Sequence, residues 1–64
     1  MEEALRVAQA VRDACLVATL QAYEDAGLSG LCHEGRWECA VDAIRTLELQ
    51  ALVQTLASPA TRVS

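Results

Sequence analysis

The chain has 64 residues, of which 53% are hydrophobic and 22% are charged, and its formal net charge is −4. This length excludes a multidomain protein and a parallel α/β fold, which needs about 100–200 residues. The apolar fraction excludes a disordered acidic tail, because such tails contain too little apolar surface to fold. Chains of this size usually need a disulfide, a bound metal or a partner subunit to stabilise the fold.

Charge and cysteine content restrict the partners and the compartment. All five basic residues are arginines, and they are spread along the chain. Nucleic acids and anionic membranes are bound by clustered basic residues, so we expect neither as a partner. The chain has three cysteines, an odd number that does not fit a complete set of disulfides. Its N-terminal Met-Glu-Glu does not resemble a secretion signal. Together these features predict a cytoplasmic protein.

Residues 2–26 are predicted to form the first helix. Ala and Leu dominate this segment, and it contains neither Gly nor Pro. Ala and Leu favour the helical conformation, whereas Gly and Pro disfavour it. Gly27 is predicted to end the helix, because Gly tolerates the left-handed conformation that follows a last turn.

This first helix has two apolar faces, which predicts that other helices cover most of its circumference. One face consists almost entirely of small residues, which permit close helix packing. Its members are Ala4, Val7, Ala8, Val11, Ala14, Cys15, Ala18, Ala22 and Ala26. The second face carries Leu5, Leu16 and Tyr23, with Leu20 beside them.

Residues 27–35 form the connection, and residues 36–57 are predicted to be helical again. The second segment changes its apolar face part-way along. The first face carries Trp37, Ala40, Val41, Ile44, Leu47 and Ala51. The second face carries Leu49, Leu52, Val53 and Leu56.

Two structures fit this change of face. The helix can break near 46–48 and return as a third helix, or one helix can bury its second half against another subunit. We favour the single helix, because no Gly or Pro marks a break. Pro59 is predicted to end it, which gives one helical domain over 1–58 and a frayed tail over 59–64.

Cys32, His33 and Cys39 form the one cluster of metal-type ligands in the sequence. Their spacing matches neither of the common zinc-ligand pairs, C-x2–4-C and H-x3–5-H. We therefore interpret the cysteines as small buried residues and His33 as a polar loop residue. A Cys–His catalytic pair also requires an orienting group and a pocket, which a short hairpin does not offer.

The carboxylates near the connection are interpreted as a solvated, salt-bridged surface. Glu34, Glu38 and Asp42 are spaced four residues apart, and Asp42 lies three residues before Arg45. Exposed charges at these spacings are typical of a helix surface. The sequence thus predicts no catalytic residue, no cofactor and no metal.

The segment 35–49 resembles the second helix of a tetratricopeptide repeat. The matching residues are Gly35, Trp37, Glu38, Ala40, Ile44 and the closing Leu47-Glu48-Leu49. The pattern departs at Leu28, where the repeat has a small residue, and at Leu52, where it has Pro. Since such repeats bury their faces against neighbours, the resemblance supports only a helical hairpin.

Trp37 is the one tryptophan in the chain. It is open to two interpretations. It can pack on Tyr23 and Leu20 inside the hairpin, or it can bind a partner, because Trp is enriched at interface hot spots.

We predict an all-α fold: a helical hairpin, with a third short helix as the alternative, that associates into a four-helix-bundle-like homodimer. The predicted interface residues are Trp37, Leu49, Leu52, Val53, Leu56, Val7, Val11, Ala14 and Ala18. The leading functional hypothesis is a small non-enzymatic assembly or adaptor protein that binds a second copy or another protein. The alternatives are a metal or thiol-ligand binding protein that uses Cys32, His33 and Cys39, and an accessory subunit of a larger enzyme.

Overall fold

The computed structural model describes residues 2–57, which form three α-helices and no strand. They are α1 (Glu2–Leu28), α2 (His33–Arg45) and α3 (Leu49–Ala57). Helix α1 packs against α2 as a hairpin and also contacts the short α3. The predicted all-α class and the hairpin are therefore confirmed. Pro59 and the predicted frayed tail lie outside the described residues.

Helix α1 ends at Leu28, and the left-handed glycine that follows its last turn is Gly30, not Gly27 as predicted. Gly30 has φ +88°, in the left-handed region. The Leu31 N–H donates to the Ala26 carbonyl and the Gly30 N–H donates to the Gly27 carbonyl, both at 3.0 Å. This pair of bonds is a Schellman motif, which satisfies carbonyls that a helix end would otherwise leave without partners.

Gly27 lies inside the helix, and the space beside it is occupied by a side chain of α2. A Cβ added at Gly27 would stand 3.0–3.2 Å from three guanidinium-end atoms of Arg36. The missing side chain therefore lets Arg36 lie against α1 where the two helices of the hairpin meet. Gly27 therefore serves helix packing, and the local sequence does not distinguish such a glycine from one that ends a helix.

The predicted single helix over 36–57 is wrong, and the alternative, a break near 46–48, is confirmed. Thr46 is the C-cap of α2, where its N–H and its Oγ1 both donate to the Asp42 carbonyl at 2.9 Å. The next N–H, that of Leu47, donates instead to the Ile44 carbonyl at 3.3 Å, three residues back, so the α-helical hydrogen-bond pattern ends at Thr46. The separate α3 then contacts α1, which explains why the apolar face changes direction along the sequence.

The interior of the chain is small. Ala26 and Ala40, with relative exposures of 5% and 2%, are the buried hydrophobic residues of the described range. The Cα atoms span 43 × 29 × 14 Å, so the helices form a thin layer. Stable domains usually pack two layers of secondary structure around one core, whereas this layer leaves many large apolar side chains exposed.

Candidate interaction surfaces

From Val11 to Ala26, the small-residue face of α1 is covered by the rest of the chain, whereas its members Ala4 and Ala8 are exposed. Val7, Val11, Ala14 and Ala18 are all half-buried, and α1 contacts both α2 and α3. These four predicted interface residues are thus partly covered within one chain. That a second chain also reaches them remains a prediction.

Another face of α1 presents larger apolar side chains to solvent. Leu16, Val17 and Leu20 are each more than half exposed, and we call them the α1 outer patch. Residues four apart lie one above the other on a helix, which places Leu16 and Leu20 side by side. The predicted interface did not include these residues, although the second apolar face of the sequence already contained Leu16 and Leu20.

Helix α3 divides its apolar residues between two environments. Leu52 and Leu56 are half-buried, while Leu49 and Val53 are exposed. Leu49 and Val53 are therefore the α3 members of the predicted interface that are most available to a second chain.

Trp37 does not pack inside the hairpin, because 61% of its surface is exposed. The interpretation as a core residue is therefore wrong. Trp37, the half-buried Val41 and the exposed Ile44 recur at helical spacing on α2. We call these three residues the α2 ridge.

The corner of the hairpin is held by polar and aromatic contacts. The hydroxyl of Tyr23 lies 3.2 Å from Nδ1 of His33, within hydrogen-bonding distance. Arg36 stacks over the Tyr23 ring, 5.6 Å from its centroid, and its Nε donates to the Leu31 carbonyl at 3.3 Å. The cation–π contact and these hydrogen bonds fix the start of α2 against the end of α1.

The three residues of the possible metal cluster lie in different settings. Cys32 is the exposed N-cap of α2, and Cys39 is half-buried two turns further on. The interpretation as a buried residue is therefore wrong for Cys32, and His33 is the first residue of α2, not a loop residue. Within residues 2–57, no three side chains of His, Cys, Asp or Glu are grouped so that they could hold a metal ion.

No helix in the described range is both long enough and apolar enough to cross a membrane. Comparison of the chain with protein-family models, with curated proteins and with solved structures finds no match. The surfaces described above are therefore the features of the chain that bear on its function.

Proposed function

We propose that the chain is a small non-enzymatic assembly or adaptor protein, and that two copies associate as a four-helix-bundle-like homodimer. The observation that supports this proposal is the contrast between an interior of small side chains and an exterior of large ones. Ala26 and Ala40 are buried, while Leu16 and Leu20 are more than half exposed. Contiguous exposed apolar patches on small soluble proteins typically mark interaction sites.

In the proposed dimer the α1 outer patches of two hairpins pack across a two-fold axis. Such an interface uses the same surface on both subunits, so a patch of three apolar residues on one helix contributes six to the interface. Leu49 and Val53 of α3, which are also exposed, extend the apolar contact. The helices of the second copy then form a second layer over those of the first. The two layers enclose one core between them, as in most stable domains.

The proposal is tested with Leu20→Glu, compared with Gln21→Glu in sedimentation velocity at about 100 µM protein. Both positions are exposed, and both variants add one carboxylate to the same helical turn. Leu20→Glu is expected to be monomeric, because it places a charge in the apolar interface. Gln21→Glu is expected to remain a dimer.

A folding control accompanies this experiment. Far-UV circular dichroism is recorded for both variants, because loss of the dimer also lowers the stability of each chain by mass action. The double variant Leu16→Ala with Leu20→Ala removes apolar area without adding charge and should also weaken the dimer. A wild-type chain that is monomeric at the same concentration would contradict the proposal.

A further inference from the structure

The α2 ridge has one strongly acidic flank. Glu34, Glu38 and Asp42 follow one another at intervals of four residues beside the ridge, and all three are exposed. The one ion pair within residues 2–57 joins Arg6 and Glu3, so these three carboxylates have no ion-pair partner there. The prediction that they form a salt-bridged surface is therefore wrong, although they are solvated as predicted. An apolar row with two exposed members and a row of carboxylates along its side is complementary to a helix with the opposite charge pattern.

The α2 ridge and its acidic flank meet in an open cavity at the start of α2. This cavity has a volume of about 490 Å³ and is lined by His33, Glu34, Trp37 and Glu38. It therefore combines an exposed indole ring with two carboxylates. A guanidinium group suits this combination, because it stacks on an aromatic face and pairs with carboxylates in a fixed planar geometry.

A second copy of this chain does not have the surface that fits. The chain carries a net charge of −4, and its five arginines are dispersed along the sequence. A second copy would bring further carboxylates toward the acidic flank, and like charges at an interface oppose association. The ridge and its flank therefore favour a different, basic protein.

We infer that the α2 ridge binds an amphipathic helix of another protein, with apolar residues on one face and arginines along one edge of that face. Trp37, Val41 and Ile44 contact the apolar face. Glu34, Glu38 and Asp42 pair with the arginine edge, and one arginine occupies the cavity over Trp37. This inference rests on the proposed adaptor role. It adds the chemical character of the partner that the adaptor binds.

The test uses the intrinsic fluorescence of Trp37, which reports this surface alone because the chain has a single tryptophan. The probe is a synthetic capped helical peptide without tryptophan, with leucines at helical spacing on one face and arginines at its edge. A matched peptide has glutamate in place of each arginine. We expect a saturable change in Trp37 emission with the arginine peptide and none with the glutamate peptide.

Two charge-neutralising variants locate the binding site. Glu34→Gln with Glu38→Gln should weaken binding of the arginine peptide roughly tenfold, because it removes both carboxylates of the cavity. Glu2→Gln with Asp13→Asn removes the same net charge from exposed positions on α1, and it should bind as the wild type does. Equal weakening by both double variants would overturn the inference, as would equal binding of the two peptides or no response of Trp37.

The same samples separate this inference from the dimer proposal. Without peptide, a blue shift of Trp37 emission on raising the protein concentration would show that a second copy covers the ridge, which overturns the inference. If Leu20→Glu is monomeric and still binds the arginine peptide, the two surfaces act independently. A monomeric wild type that binds the peptide selectively would remove the dimer proposal and leave the inference standing.

Discussion

Gly30 is the residue whose backbone conformation decides where the first helix ends. Its φ of +88° costs an L-residue with a Cβ about 1–2 kcal/mol, while no atom stands within 4 Å of an added Cβ. Ala also reduces the conformational entropy of the unfolded chain, which offsets part of this cost. Gly30→Ala is therefore expected to lower the free energy of unfolding by about 1 kcal/mol. Urea unfolding followed by circular dichroism measures this loss.

Two variants complete the measurement at this site. Gly30→Asn should lose less stability than Gly30→Ala, because Asn visits the left-handed region more readily than Ala does. Ser29→Ala, at the exposed neighbouring position, should lie within about 0.5 kcal/mol of the wild type. If Gly30→Ala were as stable as the wild type, the helix end described above would not be the one that the chain adopts in solution.

Helix α3 is stabilised by its tertiary contacts with α1. It has nine residues, and isolated helices shorter than about 12–15 residues are marginal in water. Leu52 is half-buried on α3, so Leu52→Ala is expected to cost about 1–2 kcal/mol, below the usual cost for a fully buried leucine. Gln54→Ala, at an exposed position, serves as the matched control in the same urea experiment, and equal effects of the two would contradict the packing of α3.

The sequence predicted the helices better than it predicted their ends. The hairpin follows from the apolar periodicity and the glycine-rich connection, both of which are local features. The break between α2 and α3 left a trace, the change of apolar face, but no Gly or Pro. Thr46 does not produce the break, because Thr19 makes the same side-chain bond to the carbonyl four residues before it inside the unbroken α1. The break accompanies the packing of α3 on α1, which is not a local feature.

The candidate surfaces could be predicted only in part, for a related reason. A pattern shows which side chains share a helix face, but it does not show which face the rest of the chain covers. Val11 and Leu16 both belong to apolar faces of α1, yet Val11 is half-buried and Leu16 is exposed. Trp37 illustrates the same limit, since packing and exposure were both compatible with its sequence position.

Because the interior of the chain is small, we expect its free energy of unfolding to depend on protein concentration. In a dimer that unfolds to separate chains, a hundredfold rise in concentration adds about 2.7 kcal/mol of stability per dimer. The thermal midpoint should therefore rise by several degrees between about 5 and about 500 µM, as measured by circular dichroism. A midpoint that does not change with concentration would show that the single chain is stable without a partner.

The exposed thiol of Cys32 gives access to a question that stability measurements leave open, namely how two hairpins are oriented. Cys32 lies at the turn of the hairpin and is exposed, whereas Cys15 and Cys39 are half-buried. A nitroxide label attached selectively at Cys32 would therefore mark one end of each molecule. In a parallel dimer the two labels would lie close together, and in an antiparallel dimer they would stand roughly 40 Å apart, about the length of a helix of 27 residues.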